Sequence, residues 1–205
     1  MRSWAAGASR RAIHARLRTA GIIALVLAGA LALAGPAARA AQAPVLVVGD
    51  SLGVGMQPFL GPMLGYREVV WDVRTGRTTP QGLQALRADL RLVRPLTVVI
   101  SLGTNDGSDP RRFADRIRRV LLELPRTACV VWPAIVRAPR KGAYDGLDRV
   151  LRRQALRDPR FVVPGWDLAV ARGNVVLPDG VHPNPIGFRY RSRMIANAIR
   201  ARCEA

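Results

Sequence analysis

Once the first forty residues are set aside the chain contains one histidine, His182, placed three residues after an acid in Asp179-Gly180-Val181-His182. Far upstream, at the end of an apolar run, lies Gly49-Asp50-Ser51-Leu52-Gly53. A serine, a carboxylate and an imidazole are the parts needed to make a hydroxyl nucleophilic. The imidazole takes the serine proton, and the carboxylate fixes its tautomer and stabilises the imidazolium that forms. With a single candidate base the assignment is close to forced: for a hydrolase, Ser51, His182 and Asp179 are the triad. The other histidine, His14, belongs to the N-terminal leader.

Residues so far apart need a fold to join them. Residues 45–48, 69–73, 96–101, 128–132 and 161–163 are short and Val-rich and read as strands. Between them, Thr79-Pro80 opens a helix with Leu83, Leu86 and Leu90 on one face, and Asp109-Pro110 opens another with Phe113, Ile117, Val120 and Leu124. Asn184-Pro185 opens the last, with Met194, Ile195, Ala198 and Ile199. Each start sets a capping side chain before a proline at the first helical position, where the missing N–H costs nothing. A further helix is expected over residues 144–157. Strands alternating with helices imply an α/β fold with a mainly parallel five-stranded sheet covered on both faces, a three-layer α/β/α arrangement. In such a sheet ligands bind beyond the carboxyl ends of the strands. Ser51, Gly76, the run Gly103-Thr104-Asn105-Asp106 and the Asp179–His182 loop all fall at that rim.

Composition bounds the setting. The chain has 205 residues, 49% hydrophobic and 22% charged, enough for one globular domain. Its 32 basic residues face 14 acidic ones, and six of the bases lie in the first forty residues, leaving a net charge of +12 beyond them. That leader has a basic stretch to Arg18, an apolar run from Gly21 to Ala34 and the small-residue site Ala38-Arg39-Ala40. It reads as a secretory signal peptide over residues 1–40 followed by a single domain over 41–205. Residues 19–38 carry no charge, so an uncleaved N-terminal membrane anchor is the other reading. Either way the domain is expected outside the cytoplasm, secreted, periplasmic or in the cell envelope. An exported basic domain meets anionic envelope surfaces rather than nucleic acid, and the scattered arginines also suit a merely solvated basic surface. Cys129 and Cys203 could pair in an oxidising compartment, or Cys129 could be a buried free thiol; spacing leaves this open.

Gly49-x-Ser51-x-Gly53 matches a nucleophile elbow. Two features disfavour the α/β-hydrolase fold: the serine follows the domain's first strand, and the acid stands three residues before the histidine. The combination instead resembles the SGNH (GDSL) hydrolases in four blocks: Gly49-Asp50-Ser51-Leu52, Gly76 in Thr75-Gly76-Arg77-Thr78, Gly103-Thr104-Asn105-Asp106, and Asp179-x-x-His182. The resemblance covers nearly everything after Ala41 and implies the flavodoxin-like SGNH fold and an ester hydrolase working through an acyl-enzyme. It also implies an oxyanion hole built from the N–H groups of Ser51 and Gly76 and the carboxamide of Asn105. Asp106 is expected to be structural and Asp50 to brace its loop. Trp71, Trp132 and Trp166 should pack, with Trp132-Pro133 as an alternative acyl-pocket wall. No metal-ligand cluster or dinucleotide loop stands out, so no cofactor is expected. The loops read as short, which predicts a shallow pocket for a small acyl group. The stretch Phe161-Val162-Val163-Pro164-Gly165-Trp166-Asp167, with Asp179-Gly180-Val181-His182-Pro183, resembles the SGNH domains of cell-wall O-acyltransferases. That points to a small-molecule or carbohydrate ester as substrate, with acyl transfer to envelope carbohydrate as the alternative; separately, a monomer is expected, and the basic surface leaves non-catalytic envelope binding as a further alternative.

Overall fold

A computed structural model describes residues 43–65, 67–137 and 144–204. The leader, and with it the signal-peptide or anchor reading, lies outside the described residues. The elements alternate as β1 (Val45–Gly49), α1 (Ser51–Met63), β2 (Val69–Val73), α2 (Thr79–Asp89), β3 (Thr97–Ser101), α3 (Pro110–Glu123), β4 (Cys129–Val131), α4 (Asp145–Arg157), β5 (Phe161–Val162), α5 (Trp166–Ala171) and α6 (Pro185–Arg202). All five strands are parallel, in the order β2-β1-β3-β4-β5. The expected α/β architecture is therefore present, and wholly rather than mainly parallel.

β1 lies inside the sheet, pairing Val45–Gly49 with β2 on one side and β3 on the other. Every residue of β1 is buried, as a strand covered on both faces requires. Leu46, Val48, Val98, Ile100 and Val130 meet Leu83, Leu86, Phe113, Ile117, Leu147 and Leu151 of α2, α3 and α4. Val45, Val47, Val99 and Val131 turn the other way, onto Met56 and Leu60 of α1 and Ile195 and Ile199 of α6. Gln42–Ala205 forms one compact unit. All three hydrophobic clusters draw on residues from Val45 onward, so this unit has the core an independently folding domain needs.

Cys129, at the start of β4, and Cys203, at the end of α6, form a disulfide with Cα atoms 5.5 Å apart across 74 positions of sequence. The connection between α5 and α6, residues 172–184, is longer than the short loops expected, and it carries Asp179 and His182. Trp132 is fully buried, donates Nε1–H to the Leu102 carbonyl at 2.9 Å and packs between Phe113 and Phe161. It is a core residue and not the wall of an acyl pocket.

Candidate active site

β1 ends at Gly49, and Asp50 turns the chain into α1 by capping it: its Oδ1 accepts the Leu52 N–H at 2.9 Å. Ser51 is then the first helical residue, where the backbone N–H groups are free of helical partners and the dipole favours developing negative charge. On the far side, Asn184 caps α6 by accepting the Gly187 N–H at 2.9 Å, with Pro185 at the first position. The loop before it holds His182.

Ser51 Oγ lies 2.7 Å from His182 Nε2, and His182 Nδ1 lies 2.7 Å from Asp179 Oδ2. The second oxygen of Asp179 accepts the N–H groups of Val181 at 2.9 Å and His182 at 2.7 Å. These bonds, that of the imidazole first, hold its carboxyl well below the usual carboxylate range. An ionised Asp179 keeps the proton on Nδ1 and leaves Nε2 to accept from Ser51. The chain Ser51–His182–Asp179 is thus assembled, and it is open: the His182 and Asp179 side chains are 42% and 57% exposed. Water and a bulky ester can both approach.

The other rim residues lie in the connections that follow β2 and β3. Gly76 has φ +75°, and a Cβ there would meet nothing, so the backbone conformation and not crowding calls for glycine. Asn105 Nδ2 donates to the Arg77 carbonyl at 3.2 Å and to Asp50 Oδ2 at 3.4 Å. Its carboxamide therefore bridges the loop bearing Gly76 and the cap of α1, with the NH2 end toward both. Asp106 Oδ1 accepts the Thr79 N–H at 2.7 Å, and its other oxygen lies 3.2 Å from Arg116, which ties the β3 loop to α2 and α3.

Sequence reading missed what lies beneath. Arg191, on α6, is buried with its guanidinium 4.8 Å over the Trp166 ring, and its Nη2 donates to Ser101 Oγ at 3.3 Å. Ser101 O in turn accepts the Asp50 N–H at 3.0 Å. Burial pushes the Asp50 carboxyl up to about 6, against the pull of the Leu52 N–H and the Arg191 charge. Burial likewise lowers Arg191 to about 10, with Asp50 drawing it back up. A buried carboxyl beside the nucleophile and a buried cation on α6, the helix that follows the histidine loop, face each other across the end of β3. The signal was present in α6: Arg191 occupies the buried stripe Gly187, Arg191, Ile195, Ile199 at helical spacing.

An all-parallel sheet in the order β2-β1-β3-β4-β5, with a serine–histidine–carboxylate chain at its carboxyl edge, defines a class, and the chain has the fold of the SGNH (GDSL) hydrolases. The C-terminal catalytic domain of peptidoglycan O-acetyltransferase A (OatA) from Streptococcus pneumoniae superposes with a TM-score of 0.66 at 18% identity, over 80% of this chain and 96% of that one. A lipase/acylhydrolase from Enterococcus faecalis gives 0.67 at 18% identity over 78% and 97%. The psychrotrophic esterase EstA from a Pseudoalteromonas species gives 0.65 at 17% over 80% and 100%. No protein-family model matches the sequence, and no curated protein does.

Proposed function

We propose that the chain is an exported serine esterase that hydrolyses small acyl, chiefly acetyl, esters through an acyl-enzyme, with O-acylated envelope carbohydrate as the substrate class. The observation that carries this is the pair of 2.7 Å contacts running from Ser51 through His182 to Asp179. In this reading Ser51 Oγ attacks the ester carbonyl as His182 Nε2 takes its proton. The tetrahedral oxyanion is held by the N–H groups of Ser51 and Gly76 and by Asn105 Nδ2, which gives up its long 3.4 Å bond to Asp50 to do so. Collapse breaks the C–O bond, His182 returns the proton to the leaving alcohol, and Ser51 keeps the acyl group. A water deprotonated by His182 then attacks the acyl-enzyme, and collapse breaks the acyl C–Oγ bond, releasing the acid as His182 returns the proton to Ser51. No step calls for a metal or cofactor.

A second reading, O-acyltransfer, replaces that water with a sugar hydroxyl. The openness of the site supports it, since a polymer acceptor can reach His182, as does the likeness to an O-acetyltransferase domain. Steady-state hydrolysis of p-nitrophenyl esters from acetate upward, by residues 42–205 beside the Ser51→Ala variant, tests the proposal. Turnover should be fastest with acetate and vanish in Ser51→Ala. Asn105→Ala should lower kcat by about 10²–10³, the cost of losing one oxyanion donor. Absence of Ser51-dependent release at every chain length would overturn the esterase reading. Faster acyl release on adding a sugar acceptor, with acylated sugar as product, would favour the transferase.

A further inference from the structure

The edge of the sheet opposite the triad is built from leucines and unpaired arginines. In a parallel α/β unit the helices run back against the strands, so the last turns of α2, α3 and α4 lie beside the amino ends of the strands. Four of the five exposed leucines among the described residues sit there: Leu92 after α2 (85% exposed), Leu96 before β3 (54%), Leu122 in the last turn of α3 (75%) and Leu156 in that of α4 (87%). Scattered single leucines are ordinary on a surface, but four gathered at one edge are not. Exposed Arg91, Arg94, Arg126 and Arg157 stand among them, and among the described residues no carboxylate lies within ion-pair reach of any of the four.

Three of the acids at this edge are engaged, while Glu68 and Asp89 have no ion pair among the described residues. Glu123 is held by Arg87 at 2.7 Å, Asp158 by Arg160 at 2.9 Å and Glu204 by Arg67 at 2.6 Å. At the catalytic edge exposed acids stand beside exposed arginines, Asp109, Asp145 and Asp179 with Arg74, Arg111, Arg112, Arg149 and Arg189. The exposed leucines, more than the arginines, set the two edges apart. The chain also enters the described domain at the leucine–arginine edge, through Ala43 and Pro44 into β1, and the uncharged run 19–38 precedes it in the sequence.

From this arrangement we infer that the leucine–arginine edge docks on an anionic phospholipid bilayer, turning the triad away from the membrane. Guanidinium groups pair with lipid phosphates while the leucines enter the boundary between headgroups and acyl chains. Each basic residue near an anionic surface adds about a fivefold gain in partition, and apolar side chains add binding that salt does not screen. A soluble polyanion would need the arginines but would have no use for four exposed leucines.

Flotation of residues 42–205 with phosphatidylglycerol–phosphatidylcholine vesicles, beside phosphatidylcholine alone, tests the inference independently of ester turnover. Binding is expected only to the anionic vesicles and should weaken with salt. The triple variant Arg94→Gln, Arg126→Gln, Arg157→Gln should lose roughly a hundredfold in partition. The double variant Leu122→Ser, Leu156→Ser should lose the part that persists at high salt. None of these side chains touches the triad, so p-nitrophenyl acetate hydrolysis and the far-ultraviolet circular dichroism spectrum should match the parent and report intact folding. Equal affinity for neutral vesicles, or parental binding by the arginine variant, would overturn the inference. So would full binding by the leucine variant with complete competition by soluble polyphosphate, which would identify a polyanion site.

Discussion

The disulfide offers the most direct test of how this fold holds its site. Replacing both Cys129 and Cys203 with alanine removes a cross-link across 74 positions, from the first residue of β4 to the C-cap of α6. Closing a loop of that length removes about 15 cal/mol/K of entropy from the unfolded chain, or about 4.4 kcal/mol at 25 °C. That is a large part of the 5–15 kcal/mol by which domains are typically stable. Urea unfolding, followed by tryptophan fluorescence, should show the midpoint dropping by about 2 M for a slope near 2 kcal/mol/M. The melting temperature should fall by roughly 9–18 °C. Treating the parent with reductant should reproduce the variant. At 25 °C hydrolysis should hardly change, because the bridge lies at the far end of α6 from His182. Coincident unfolding curves for oxidised and reduced protein, or two free thiols in the oxidised protein, would refute the reasoning.

Two further predictions concern buried groups and packing. Burial raises Asp148 to about 7 and Asp50 to about 6, so between pH 4 and 7 the folded state holds protons that the unfolded chain releases, and stability falls as pH rises. Asp179, held low, gives up its contribution only below the ordinary carboxylate range, outside this window. Calorimetry should find the domain more stable at pH 5 than at pH 7.5, on the order of 3 kcal/mol. Asp148→Asn, whose amide oxygen can still accept the Ile135 N–H, should flatten the trend; a melting temperature that falls steadily on acidification from pH 7.5 to 5 would contradict it. Gly55→Ala would set a Cβ 2.2 Å from the Phe188 ring, between the first turns of α1 and α6. It should cost about 1–3 kcal/mol and lower kcat by separating Ser51 from His182. Phe188→Leu in the same chain should restore part of both, measured by urea melts and p-nitrophenyl acetate turnover.

Legibility followed locality. Asp109-Pro110 and Asn184-Pro185 announced α3 and α6 because a cap and the proline after it act within one turn, and the Val-rich strands announced a sheet buried on both faces. α5 was missed because its six residues are too few to display a period. The residues gathered around Ser51 were named from their types and from the order of four short blocks. What Asn105 and Asp50 touch was not legible, since those bonds join loops far apart in sequence. The cysteine pairing stayed open for the same reason: spacing does not report that two Cα atoms end 5.5 Å apart. Arg191 was the avoidable omission, because a charge in an apolar helical stripe can be read without coordinates.

The nucleophile opens the first helix, while the base precedes the last, 131 residues later. A ribosome therefore finishes all five strands before it adds the histidine of the triad. On the proposed mechanism, ester turnover has to wait until α6 docks against α1. The proposal extends to separated parts: a fragment ending in the 172–184 connection and a peptide carrying His182 and α6 should each be silent, and turnover would report their reunion.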